Sequence, residues 1–295
     1  IISAGFTQYN YGDTRYACGA LDEDPNNPNN ILLVYTRASV PGTWDGGDTW
    51  NREHVFPENW LGISVTNSYK GPGSDLFEIR PSNPGVNSTR SDYPYGYYPK
   101  TGSASVTLVA GINYRYPGNA DTGELARTFF YLATRYYQAS DSTRGHSIQN
   151  LELVNGNASA FKMGDLNSLL HWNYEDGVDN FERRRNEYIY NGAGDSSYNY
   201  VQGNRNPFID HPEYVWAIFG GGNNNAQIHV GAAVNEDGSS ATTVNLRTMR
   251  NVAFGSASAT ISKSGVYPTT YNLTSTFNVV TTAAGVWEPF DYNAQ

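Results

Sequence analysis

The run Gly220-Gly221-Gly222-Asn223-Asn224-Asn225 constrains the fold more than any other stretch of this chain. Six consecutive small, turn-forming residues read as a flexible linker, not as the interior of a helix or strand. The compositions on its two sides differ. The first 220 residues alternate loops with well-signalled helices, whereas the remainder is rich in Gly, Ser, Thr, Asn and Val and has almost no helical periodicity. A chain of 295 residues is long enough for two ordinary domains. The expected division is therefore residues 1–220 and 221–295.

In the first part, Asp121 with Glu124 resembles a capping box, and Leu125, Phe129, Leu132 and Tyr136 follow with the rhythm of an amphipathic helix. A second helix is predicted over roughly Asp165 to Glu175. A third starts on Asp179 and Glu182, passes Tyr188 and stops at Gly192. Pro212 and Gly220 bracket a short helix, Glu213 to Phe219. In the second part, Ala226 to Val230, Thr242 to Leu246 and Thr276 to Thr281 carry β-branched residues in alternation and read as strands of a small sandwich.

Bulk properties narrow the class. No apolar run reaches the length of about 18 residues that a membrane helix needs, so no membrane partner is expected. Cys18 is the sole cysteine, which rules out an intrachain disulfide and a cysteine-based metal cluster and favours a buried small residue. The chain opens at Ile1 without an initiator Met, basic n-region or apolar h-region, and reads as a mature or trimmed product. A net charge of −9 argues against a broadly basic nucleic-acid binder. It leaves room for a local positive groove, since arginines cluster in places such as Arg183-Arg184-Arg185.

The chemistry concentrates in two segments. Trp50-Asn51-Arg52-Glu53-His54-Val55-Phe56-Pro57 sets a carboxylate beside an imidazole just before a proline. Adjacent strand residues point to opposite faces, so the pair serves one site only at a strand end or a distorted turn. Taken alone, the two residues leave open an ordinary polar pair near a turn. The second segment holds Asp75-Leu76-Phe77-Glu78-Ile79-Arg80-Pro81-Ser82 and then Val86-Asn87-Ser88-Thr89-Arg90-Ser91.

The ordered blocks Glu-His-Val-x-Pro, Asp-Leu-x-x-Ile-Arg-Pro and Val-Asn-x-x-Arg-Ser resemble the endonuclease I family. The likeness continues in Gly123 to Arg127, near Asn180 to Glu187, and in Gln202-Gly203-Asn204-Arg205-Asn206-Pro207-Phe208, and so spans about residues 30 to 220. The resemblance implies an α+β nuclease domain built on a ββα-metal finger with helices, here followed by the small all-β, sandwich-like C-terminal module. It implies His54 as general base, with Glu53 and Asn87 holding one divalent cation, Mg2+ by preference and Mn2+ or Ca2+ as alternatives. It also implies DNA and RNA as substrates, with 5′-phosphate and 3′-hydroxyl products, and a secreted protein, extracellular or periplasmic. A monomer is expected. Arg90 is grouped with the catalytic residues. Arg80, Arg127 and Arg205 are candidate substrate contacts, because a guanidinium fork suits phosphate oxygens. A structural salt bridge is the competing role for each arginine.

The sequence departs from the family at Phe77 and Glu78, where relatives commonly carry His-Asn or His-His. The competing function is a surface binding or adhesion protein, with the finger structural and the β module making the contact. Intact Glu53, His54 and Asn87 favour the enzyme. A glycosidase with paired carboxylates ranks third, since no such pair stands out.

Overall fold

The computed structural model describes residues 2, 5–96, 102–137, 151–193, 200–220, 227–235 and 257–264. The chain forms two compact units, Ile1–Pro212 and Glu213–Gln295.

Unit 1 mixes helices with small sheets. Helix α1 (Tyr11–Leu21) leads into an antiparallel sheet of β1 (Glu23–Asp24), β2 (Asn27–Leu32) and β3 (Ser39–Pro41). A tight turn joins β1 to β2, with the Asp24 carboxylate accepting the Asn26 N–H at 2.9 Å. Next come β4 (Asn51–His54), the single turn α2 (Glu58–Leu61), β5 (Ile79–Ser82) and α3 (Pro84–Arg90). Strands β4 and β5 pair antiparallel, with Glu53 opposite Arg80 and His54 opposite Ile79. A β6–β7 pair (Ser105–Val109, Ile112–Tyr116) precedes α4 (Thr122–Arg135). Short parallel strands β8 (Glu152–Leu153) and β9 (Lys162–Met163), then α5 (Leu166–Glu175), α6 (Asn180–Asn191) and α7 (Pro207–Asp210), complete the unit.

Three predicted helices of unit 1 are present, with one difference of kind. The rhythm of α4 suggested one buried face, yet the helix is buried on nearly every side from Thr122 to Ala133. Glu124 and Arg127 are inside because each has a charged partner. Glu124 accepts Arg80 Nη1 at 2.5 Å and Arg37 Nη2 at 2.8 Å, and Arg127 grips Glu182 with Nε at 2.6 Å and Nη2 at 2.7 Å. The capping box predicted from Asp121 and Glu124 is accordingly not formed. The Asp121 carboxylate instead accepts the Tyr35 N–H and pairs with Arg37. At α6 the predicted cap does form, Asp179 accepting the Glu182 N–H at 2.8 Å.

Beneath β2 and β5, Cys18, Ile31, Leu33, Trp50 and Ile79 form an apolar cluster. Burial pushes the Cys18 thiol up to about 12, so it packs as a small apolar group.

Unit 2 contains the predicted short helix as α8 (Tyr214–Phe219), followed by antiparallel β10 (Gln227–Asn235) and β11 (Ala257–Ser264). The predicted strand Ala226 to Val230 overlaps β10. The predicted strands Thr242 to Leu246 and Thr276 to Thr281, and with them the sandwich, lie outside the described residues.

The pairing of Arg80 sets a measurable contrast. Arg80 is 1% exposed, and its Nε also reaches Asp22 at 2.8 Å. Arg80→Ala removes one partner from each of two buried carboxylates, leaving Asp22 only Arg185 and Glu124 only Arg37, and is expected to lower unfolding stability by about 3 kcal/mol. Arg205→Ala, at a surface ion pair, should cost about 1 kcal/mol or less. Urea unfolding followed by circular dichroism checks both, and equal losses contradict the account.

Candidate active site

The hairpin β4–β5 and helix α3 are consecutive, and their register decides which side chains meet. Asn83 ends β5 and caps α3, its Oδ1 accepting from the N–H groups of Gly85 and Val86, with Pro84 at the first helical position. That start turns Asn87 toward β4. Its Nδ2 donates to Asn51 Oδ1 at 2.8 Å and to the Arg52 carbonyl at 3.3 Å. Both amide hydrogens being committed to the strand, Oδ1 remains as an acceptor.

Alternation along β4 separates the two halves of the Glu-His pair. Glu53 faces Tyr35 and Arg90: the Tyr35 hydroxyl donates to Oε1 at 2.6 Å, and Arg90 Nε lies 3.0 Å from the same oxygen. Burial raises the Glu53 carboxyl above its ordinary range, against the pull of Arg90 and the Tyr35 hydrogen bond. Tyr35 reaches this position from a left-handed backbone (φ 74°), fixed by its N–H bond to Asp121 and by contact of its hydroxyl with that of Tyr95.

His54 faces the other way. Its ring stacks on Tyr11 at 5.1 Å between centroids, and its Nε2 lies 3.0 Å from the Gly73 carbonyl. A carbonyl oxygen only accepts, so this contact requires a proton on Nε2 and leaves the lone pair on Nδ1. Burial pushes the imidazole down to about 4, although the Gly73 bond works the other way, and the ring is neutral near pH 7. Gly73 sits too close for a side chain: an added Cβ would lie 2.8 Å from Ile63 and 3.4 Å from His54 Nε2. Arg52, on the same face as His54, covers Tyr11 at 3.7 Å and leaves the imidazole little room to swing.

The family departures at Phe77 and Glu78 support this geometry from below. Phe77 packs on Tyr131 in the core. Glu78 accepts the Phe56 N–H with both carboxylate oxygens, at 2.9 and 3.0 Å, and so pins the chain two residues past His54.

The expected site residues do not all gather. Glu53, His54, Asn87 and Arg90 share the ββα unit. Arg90 is 1% exposed, donates Nη2 to the Val55 carbonyl and Nη1 to the Ser91 carbonyl, and forms an ion pair with Glu53. It positions the carboxylate instead of presenting a free fork. Arg80 and Arg127 are buried inside ion pairs, the competing role for both, and neither guanidinium reaches solvent. Arg205 is partly exposed but holds Asp210 and Glu187. Of the clustered arginines, Arg185 is buried against Asp22 and the Leu76 and Ile79 carbonyls, and Arg184 donates to the Glu23 carbonyl. Sequence reading missed Tyr35, Tyr11 and Gly73, which carry no motif of their own.

The donor set is suited to a hard cation. A carboxylate and an amide oxygen are ligands of the type that Mg2+ prefers, with water and phosphate completing the shell. Among the described residues no group of three or more His, Cys, Asp and Glu forms a protein-only cage.

Residues 6–213 match Endonuclease I. Over 224 residues the chain is 38% identical to an extracellular ribonuclease of Bacillus amyloliquefaciens and 36% identical to one of Bacillus subtilis (strain 168). Each alignment covers 74% of this chain and 71% of the relative. The chain belongs to the Endonuclease I family. It is accordingly a nuclease, a hydrolase of nucleic acids.

The His54 geometry is open to direct observation. Long-range 1H–15N spectra at pH 7 should show a neutral His54 ring protonated on Nε2. A doubly protonated ring, or the Nδ1–H tautomer, contradicts the Gly73 contact.

Proposed function

We propose that the protein is a secreted, metal-dependent endonuclease that hydrolyses phosphodiester bonds of RNA and DNA with little sequence preference. The observation that carries this reading is His54, neutral and with Nδ1 unprotonated, on the strand that also carries Glu53. Nδ1 takes a proton from water as the water oxygen attacks phosphorus. The bond from phosphorus to the 3′ oxygen breaks, the 3′ oxygen takes a proton from solvent, and 5′-phosphate and 3′-hydroxyl ends result. Glu53 and Asn87 Oδ1 would hold one Mg2+, which supplies charge stabilisation for the phosphate and the leaving oxygen.

Tyr35 and Arg90 both meet Oε1 of Glu53, and Tyr95 lies beside the same carboxylate, so its orientation is fixed from three sides. Arg90 offsets part of the cost of burying the carboxylate, although burial still raises the Glu53 carboxyl above its ordinary range. Because water and not the ribose 2′-hydroxyl is the nucleophile, either sugar is accepted. The names of the two ribonuclease relatives support RNA as a substrate and secretion as the destination. Residues beyond the matched segment are not needed for the chemistry, since Glu53, His54 and Asn87 all lie in unit 1.

His54→Ala is expected to lower cleavage of plasmid DNA and of RNA by about 10²–10⁴-fold while the protein stays folded and binds metal. Excess chelator should abolish cleavage, and added Mg2+ or Mn2+ should restore it. End-labelling should find 5′-phosphates on both polymers. Wild-type turnover in the variant, undiminished cutting in chelator, or 2′,3′-cyclic phosphate ends on RNA would each sink the mechanism.

A chain ending at Gly220 should cut at close to the full rate. A folded but inactive truncated protein would tie the β-rich segment to the chemistry.

A further inference from the structure

Beside Tyr35 the described residues line an open cleft of about 860 Å3, walled by Tyr35, Arg37, Asn83, Ser105, Arg115 and Asp121 among others. Arg37 is neutralised there by Asp121 and Glu124. Arg115, on β7, is not. It is 2% exposed, and its Nε and Nη2 are buried with no hydrogen-bond partner. The guanidinium lies over the Tyr35 ring, 4.5 Å from the centroid. Ser105 Oγ, in the neighbouring strand, is likewise buried without a partner.

A guanidinium removed from water without a hydrogen-bond acceptor is costly to keep, and each of its open donors calls for one. Nε and Nη2 form one edge of the fork, the edge that matches two oxygens of a phosphate. Glu53, whose carboxyl Arg115 helps to lower, is already held by Arg90 and Tyr35. Two features tie the cleft to the ββα unit. Tyr35 forms its wall and also donates to Glu53, and the helix that carries Asn87 supplies Asn83, Gly85, Val86 and Thr89 to the lining.

We propose that this cleft is a subsite for a non-scissile backbone phosphate of the substrate strand, gripped by the Nε/Nη2 edge of Arg115 and by Ser105. The inference rests on the nuclease reading above and adds to it a residue with no part in the bond-breaking step. Arg115 holds the strand beside the cleaved position, so that an acidic protein grips a polyanion through a few buried contacts instead of a basic surface.

The test is binding without cleavage. Full-chain protein in excess chelator is titrated with short fluorescein-labelled single-stranded DNA, across a range of salt. Arg115→Met is expected to weaken binding by about tenfold or more and to flatten the salt dependence by about one phosphate contact. Ser103→Glu places a carboxylate at an exposed lining position, should leave the fold intact, and is expected to weaken binding likewise. It carries the test if Arg115→Met fails to fold. Inorganic phosphate should displace the labelled strand from the wild type and lose that effect in Arg115→Met. Wild-type affinity and salt slope in folded variants overturn the subsite while the nuclease reading stands. So does phosphate that raises the melting temperature through Arg115 without competing with the strand, since the cleft then holds a free anion. A wild-type protein that binds no strand overturns both readings.

Discussion

The shared carboxylates of Asp22 and Glu124 are the interaction on which the rest of unit 1 depends. Asp22 Oδ1 accepts from Arg80 Nε at 2.8 Å and Arg185 Nε at 3.1 Å, and Glu124 takes Arg80 and Arg37. Through these four arms the end of α1, strand β5, helix α4 and helix α6 are held in one register. Strand β5 is the partner of β4, so the position of Glu53 and His54 is inherited from charges that never meet the substrate. Buried pairs of this kind add little to net stability compared with apolar packing, but breaking one leaves its partner stranded. They specify an arrangement more than they strengthen it.

A second polar hub does for the far side of the finger what Asp22 does for the near side. Asp75 accepts from the hydroxyls of Tyr131 and Tyr136 at 2.8 and 2.9 Å, from Gln202 Nε2 at 3.0 Å and from the Phe77 N–H at 2.9 Å. Gln202 in turn accepts the Leu76 N–H, and Asn206 caps α7 while donating to the Arg127 carbonyl. The blocks Asp75-Leu76 and Gln202 to Phe208, which carry much of the family resemblance, are therefore cross-links in the scaffold. Their regularity reports on how the finger is supported.

This bears on what was legible in the sequence. Local signals were readable: Asp165 and Asp179 marked helix starts, and Gly192 marked a stop. The strand–strand–helix unit was readable because its three candidate positions, Glu53, His54 and Asn87, lie in short contiguous blocks. Partners across the chain were not. Asp121 and Glu124 have the spacing of a cap, yet Arg37 and Arg80, far away in sequence, take their carboxylates. Arg80 and Arg127 look like phosphate forks for the same reason, since nothing local tells a guanidinium that meets a phosphate from one that meets a carboxylate. Helix α1 escaped notice because Gly12 and Gly19 weaken its propensity and its periodicity is faint.

The alternation of Glu53 and His54 along one strand has a consequence for how this site tolerates change in length. The side-chain period of a strand is two, so slipping β4 by a single residue against β5 would send the imidazole to the face of Tyr35 and Arg90 and the carboxylate to that of Tyr11. Insertions and deletions between Trp50, buried in the cluster under β5, and Phe56, bound by Glu78, would exchange the two roles in one step. Along these few residues spacing matters to the candidate site as much as the side chains do.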